Sequence, residues 1–444
     1  MKKVIAIVLS FVLLCAALAG CGAGGGSAPA SPDSAPPPGG VSSGRGDSAM
    51  SERDGSPGSD TMPEPSAPDD YYTSESTYDD SFDSATSVEP AEDVSADPES
   101  QARPQLRPSP GQLTAGEWDD NDNYDFILNL VQTNDEWRSF ETRWQFNISG
   151  RVTAVVTDDG TPINNAVVEL LDNQGNTVFV ARTNNAGVAY LFAGLRTGSQ
   201  DAATHIRAGG AQGERRELDP SVNRYEFSLP GNNVAQSLDL MFVIDTTGSM
   251  GDELDYIKAE LDDVIRQVRR DNANIDVRLS VNVYRDFGDE YVVRSMPFER
   301  DIENQLAFLR RQAASGGGDW EEAVHVALDD ALSDHDWNDS ATAKLLFLVL
   351  DAPPHNTDSI RNEMHRLYNL SASMGVRIIP VASSGIDKIT EFLLRAMSIT
   401  TGGTYIFLTD HSGIGNPHIE PTIGDYNVEL LNELMIRVIN NYLA

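Results

Sequence analysis

From residue 237 onward, runs of uninterrupted apolar residues alternate with stretches in which apolar positions recur every three or four residues. Leu240-Met241-Phe242-Val243-Ile244 and Leu345 to Leu350 are such runs, and Val376 to Val381 is a third, broken by Arg377 and Pro380. Runs of this kind suit central strands covered on both faces. After the first, Leu254, Ile257, Leu261, Val264, Ile265 and Val268 fall on one face of a helix. Further helices are predicted over 301–312, 320–333, 357–373, 387–399 and 427–442. Strands alternating with helices predict a doubly wound, Rossmann-like α/β sheet over 237–444.

Between 146 and 232 the period changes. Val152 to Val156 ends at Asp159-Gly160, Val167 to Leu171 at Gly175-Asn176, and Val178-Phe179-Val180 runs toward Asn185-Ala186-Gly187, after which Val188, Tyr190 and Phe192 alternate. Short β-rich runs split by turn dipeptides predict a small antiparallel β-sandwich. Residues 112–145 carry Trp118, Trp137 and Trp144 with Phe126, Ile127 and Leu130, and read as an aromatic-rich connecting segment that packs on a neighbour through one or two short helices.

The first 111 residues have neither pattern. Lys2 and Lys3 precede an apolar run from Val4 to Leu18, the layout of an export signal over 1–20, too short to span a bilayer comfortably. Residues 22–102 are mostly Ser, Pro, Gly, Ala, Asp and Glu, with 17 carboxylates against Arg45 and Arg53. Such a stretch cannot bury enough apolar area to offset chain entropy, so 21–111 reads as a long disordered acidic tether. Arg45-Gly46-Asp47 reads as a chance tripeptide in this Gly/Asp-rich composition. The formal net charge of -36 excludes a nucleic-acid footprint, which needs a basic face. The only two cysteines lie within the first 21 residues, so no thiolate metal site or disulfide can form beyond them.

The chemistry gathers at predicted strand ends. The first long strand closes in Asp245-Thr246-Thr247-Gly248-Ser249-Met250, and the Leu345–Leu350 strand closes in Asp351. In a doubly wound sheet, ligands bind outside the carboxyl ends of the strands. Gly316-Gly317-Gly318-Asp319 adds a flexible loop bearing a third carboxylate. Asp245, Thr247, Ser249, Asp319 and Asp351 together make an oxygen-only set, the donors that hard divalent cations take. Around them, Asp286 and Asp289 read as turn formers, His355 as structural, and Glu321 and Glu322 as carboxylates favoured at the start of a helix. In the folded half no strand-to-helix junction carries a nucleophile elbow or dinucleotide fingerprint; there is no Walker-type phosphate loop, and the histidines form no H-x-x-x-H pair, which argues against an enzyme.

Three resemblances extend this reading. Leu18-Ala19-Gly20-Cys21 closely resembles the bacterial lipobox, which implies cleavage before Cys21, diacylglycerol on its sulfur, and display at the extracytoplasmic face of the membrane. Acyl chains contribute about 0.8 kcal/mol per buried CH2 to such an anchor. Gly150-Arg151-Val152, Gly160-Thr161-Pro162-Ile163 with Ala166-Val167-Val168, and Thr183-Asn184-Asn185-Ala186-Gly187 resemble the carboxypeptidase regulatory-like (transthyretin-like) sandwich, a spacer or binding platform.

V-I-D-T-T-G-S-M, the G-G-G-D loop and L-D-A-P-P-H resemble a von Willebrand factor type A domain over 237–444. Asp245, Thr247 and Ser249 then match the D-x-S-x-S segment of a metal-ion-dependent adhesion site. Asp319 stands where integrin-like members have threonine, and Asp351 matches the last aspartate. The resemblance implies bound magnesium, with manganese and calcium as alternatives, and a protein ligand that completes the metal shell with an acidic side chain. The extra carboxylate of Asp319 lowers the net positive charge felt by such a ligand. The function implied is a lipid-anchored, metal-dependent protein-binding or adhesion module. The alternative is an envelope scaffold in which the metal is only structural.

Overall fold

The computed structural model describes residues 107–196, 202–231 and 235–444. The predicted export signal, Cys21 and all but the last residues of the acidic tether lie outside the described residues. Among those described, no helix is long and apolar enough to cross a membrane.

The chain opens with β1 (Thr114–Trp118) and two helices, α1 (Tyr124–Thr133) and α2 (Asp135–Trp144). Eight strands follow: β2 (Arg151–Asp158), β3 (Thr161–Pro162), β4 (Val167–Leu171), β5 (Thr177–Arg182), β6 (Val188–Phe192), β7 (His205–Ala208), β8 (Glu214–Glu217) and β9 (Arg224–Ser228). They form two four-stranded sheets. In one, β2 pairs with β3, β6 and β9; the other has the order β5-β4-β7-β8. Alternate residues, among them Ala154, Val156, Val168, Leu170, Leu191, Ile206 and Phe227, are buried. The edge of Phe179 meets Phe192 of the other sheet at 6.0 Å between ring centroids. One pairing departs from the antiparallel expectation: β9 runs parallel to β2, from Thr153 opposite Arg224 to Thr157 opposite Ser228. Its partner strands are distant in sequence, so no hairpin forces them antiparallel.

The remaining elements are β10 (Ala235–Asp245), α3 (Leu254–Asp271), β11 (Asp276–Tyr284), β12 (Val293–Arg294), α4 (Ile302–Arg310), α5 (Val324–Ser333), β13 (Ala341–Leu350), α6 (Asp358–Met374), β14 (Val376–Ala382), α7 (Lys388–Thr401), β15 (Tyr405–Leu408), β16 (Glu429–Leu430) and α8 (Leu431–Leu443). The large sheet has the order β12-β11-β10-β13-β14-β15-β1-β16. Its five central strands are parallel. Leu240, Phe242, Ile244, Leu345, Phe347 and Val349 face one core with α3, α4 and α8. Met241, Val243, Leu346, Leu348 and Leu350 face the other, with α5, α6 and α7. Burial on both faces is why these strands read as unbroken apolar runs. From β10 the chain goes to β11 on one side and later to β13 on the other. The switch point of this sheet therefore lies between β10 and β13, with Asp245 and Asp351 at its carboxyl edge.

Residues 112–145 do more than connect. β1 is a strand of the large sheet, antiparallel to β15 from Ala115 opposite Leu408 to Trp118 opposite Tyr405. Its entry is fixed by the buried Glu260 of α3, whose carboxylate accepts the backbone N–H groups of Gly111, Gln112 and Leu113 at 2.8, 2.8 and 3.0 Å. Behind it, Trp137 and Trp144 of α2 are buried in the same core as α6 and α7. The short β1 carries no hydrophobic alternation of its own, which is why sequence pattern misses it.

Candidate functional site

Asp245 is the last residue of β10 and wholly buried. Its Oδ1 accepts the Thr247 backbone N–H at 2.8 Å and the Thr247 hydroxyl at 2.7 Å, while its buried Oδ2 has no hydrogen-bond partner. The Thr247 hydroxyl lies 3.1 Å from that of Ser249, which is exposed. Asp351, buried at the end of β13, interacts with the Ser249 hydroxyl, and its Oδ1 is likewise unpartnered. Burial pushes the Asp245 carboxyl up to about 6, partly offset by the Thr247 bonds and the neighbouring Tyr284 hydroxyl. Burial and the neighbouring Asp245 push Asp351 up to about 7. Burial and mutual repulsion of these neighbouring carboxyls favour their protonated forms, and a cation between them would favour ionisation instead. The residues present therefore fit a divalent ion: Asp245, Thr247, Ser249 and Asp351 would hold it, all through oxygen.

The glycine loop is bound to this strand end through its backbone. Ser315 N–H donates to Thr246 O at 3.0 Å, and Gly248 N–H to Gly316 O at 3.1 Å. Gly316 and Gly317 have φ of +84° and +73°. A Cβ on Gly316 would lie 2.3 Å from the Asp289 carboxylate, which accepts Gly317 N–H at 2.9 Å. Asp289 is thus a turn former, as the pattern reads it, and a clamp on the loop as well. The Gly316→Ala substitution should weaken divalent-cation binding roughly 10-fold or more, the range seen when a supporting contact of a metal site is lost, with the sheet's circular dichroism unchanged. Titration calorimetry would check this, and an unaltered affinity would mean that the loop does not hold the site.

The five expected ligands do not all meet. The structure brings Asp245, Thr247, Ser249 and Asp351 together. The exposed Asp319 groups instead with Asp286 and His355, whose ligating atoms all lie within 4.8 Å of one another. Asp286 follows β11, is buried, and accepts a hydrogen bond from or pairs with His355 Nε2 at 2.9 Å.

Glu322 is a further correction. The predicted helix over 320–333 begins only at Val324. Glu322 lies before it, in a bridge to Pro354, with its N–H on Pro353 O at 2.9 Å. It is 2% exposed, its Oε2 has no partner, and its carboxyl is pushed up to about 9 by burial and by Asp245, Asp286, Asp351 and Asp289. Arg285, which follows β11, donates to the carbonyls of Thr246 at 3.1 Å and Ala313 at 2.9 Å. Asp286, Glu322 and His355 carry the same local signals as turn and cap residues. The only sequence hint was that each follows a predicted strand or the glycine loop.

Residues 239–413 match the family described as von Willebrand factor A domain. The chain is 27% identical over 214 residues to an ariadne-like RING finger protein of Acanthamoeba polyphaga mimivirus, covering 45% of this chain and 20% of that protein. It is 22% identical over 149 residues to an alpha-protein kinase, vwkA, of Dictyostelium discoideum, covering 33% of this chain and 24% of that one. The chain thus spans a fifth to a quarter of the length of these relatives. Among solved structures, it is similar to the conserved hypothetical protein BatB of Bacteroides thetaiotaomicron, with a TM-score of 0.33 and 11% identity over 46% of this chain and 98% of that one. It is also similar to an aerotolerance-related membrane protein of Bacteroides fragilis, with a TM-score of 0.32 and 12% identity over 47% and 98%.

Proposed function

We propose that the von Willebrand factor A domain carried by this chain is a protein-binding module that acts through a divalent cation held by Asp245, Thr247, Ser249 and Asp351. The observation that carries this reading is the pair of buried carboxylates at the switch point of the sheet, Asp245 and Asp351, linked through the Thr247 and Ser249 hydroxyls, with Asp245 Oδ2 and Asp351 Oδ1 lacking a hydrogen-bond partner. An oxygen-only set takes Mg2+ first, with Mn2+ and Ca2+ as alternatives. Ser249 is exposed, so the ion is reachable from outside and can accept an acidic side chain of a partner. Its role is recognition, and the protein is not an enzyme in this reading.

The remaining parts fit display. Cys21 would carry lipid at the extracytoplasmic face of a bacterial membrane, the acidic stretch would serve as a tether, and the two small sheets, as a carboxypeptidase regulatory-like sandwich, would act as a spacer. Arg182 of β5 supports that last role: its Nε donates to Ser373 O at 2.9 Å and its carbonyl accepts from buried Arg377 at 2.7 Å, joining the layers.

Calorimetric titration of the full chain with Mg2+, Mn2+ and Ca2+ tests the reading. Tight binding of at least one ion is expected, weakened at least about 100-fold in Asp245→Ala, where a ligand and the anchor of Thr247 are both lost. No binding by the native protein, or equal binding by the variant, overturns it.

A further inference from the structure

Beside the oxygen-only site stands a group of different chemistry. His355 Nε2 lies 2.9 Å from Asp286 Oδ1, and one ligating atom from each of Asp286, Asp319 and His355 falls within 4.8 Å of the others. Around an ion with bonds of about 2.1 Å, adjacent ligand atoms sit about 3 Å apart and opposite ones about 4.2 Å. The three groups come from three separate loops, those after β11, before α5 and after β13.

A second observation points to a ligand here. Glu322, almost wholly buried, has an unpartnered Oε2 and stands among Asp245, Asp286, Asp351 and Asp289. Its backbone is bridged to Pro354, next to His355. Asp245, Asp351, Asp286, Asp319 and Glu322 together bring five carboxyls to this edge of the sheet, more than one +2 ion would neutralise were all of them ionised. Phe287, 54% exposed, lays its ring 5.9 Å from His355 and 5.8 Å from His325.

We propose that Asp286, Asp319 and His355 form a second divalent-cation site, distinct from the oxygen-only one, with Glu322 reaching between the two. The imidazole nitrogen makes this site selective for Mn2+ or Zn2+ over Mg2+ and Ca2+, which prefer all-oxygen shells. The inference concerns residues other than those of the proposed function, and the two readings fail separately.

The test is the number of Mn2+ ions bound by the full chain after chelation and dialysis, counted by electron paramagnetic resonance, with Zn2+ affinity from competition. Two Mn2+ per chain are expected for the native protein, and one each for His355→Ala and Asp245→Ala. Zn2+ affinity should fall at least about 10-fold in His355→Ala. Asp286→Asn, which keeps the shape of the side chain, should match His355→Ala and replaces it if that variant does not fold by circular dichroism. One Mn2+ in the native protein, lost in Asp245→Ala but not in His355→Ala, would mean that His355 and Asp286 form only an ion pair, and overturns the second site alone. One Mn2+ lost in His355→Ala but not in Asp245→Ala supports the second site and overturns the first.

Discussion

Raising the pH from about 4 to about 9 should lower the melting temperature of the metal-free protein, and a divalent cation should restore it. Asp245, Asp351 and Glu322 have their carboxyls pushed up to about 6, 7 and 9 by burial and by one another, from ordinary values of 3.8, 3.8 and 4.5. In this range the folded chain holds protons that the unfolded chain has released, so stability falls with rising pH. The loss begins above the unfolded values near 4, and each group's share stops growing once pH passes its folded value.

A cation bound by the deprotonated carboxylates acts in the opposite direction, by about 2.7 kcal/mol at a hundred times its dissociation constant. Melting curves at pH 5 and pH 9, in chelator and in excess Mg2+ or Mn2+, would read both effects. Asp245→Asn, an amide that cannot charge, should flatten the profile in chelator. A melting temperature that rises with pH in chelator, or that no cation moves at pH 9, would refute the account of these carboxylates as a cation site.

Asp120→Ala should destabilise the chain by about 3 to 5 kcal/mol, the range for breaking a buried ion pair from one side. Asp120 and Arg395 are each 1% exposed. They form a two-pronged pair, Nε to Oδ2 at 2.7 Å and an amino group to Oδ1 at 2.6 Å. Trp118 Nε1 donates to the same Oδ1 at 2.9 Å, and the guanidinium lies 4.8 Å from the centre of the Trp137 ring. Removing Asp120 leaves a buried cation with Glu391, at 3.4 Å, and the Thr422 carbonyl as its remaining partners. Pairing Asp120→Ala with Arg395→Met should recover more than half of the loss, since the stranded charge is gone. Urea unfolding measures both. A loss below about 1 kcal/mol would mean that residues 112–145 are not anchored to α7 as the structure has them.

The two expected effects divide between what local sequence reveals and what it hides. The strand ends at Asp245 and Asp351 were legible because each closes an apolar run, and the hydroxyls of Thr247 and Ser249 stand two and four residues beyond Asp245. The helices were legible from their three-and-four spacing. α3, α4, α6, α7 and α8 begin within four residues of where that spacing puts them. Asp120 and Arg395 are 275 residues apart, and nothing around either one signals the other.

By itself, then, the sequence determined the parallel sheet, because burial on two faces demands unbroken apolar strands, and it put Asp245, Thr247, Ser249 and Asp351 at one edge of that sheet, because one tight turn and one strand end hold them. Tertiary structure alone decided that Thr114–Trp118 completes the sheet, that β9 runs parallel to β2, that Glu322 turns inward ahead of its helix, and that Asp319 meets Asp286 and His355. The physical reason is range. Propensity and periodicity act over a turn of helix or a few strand positions, whereas these contacts join segments tens to hundreds of residues apart, and their energy exists only after the chain has closed on itself.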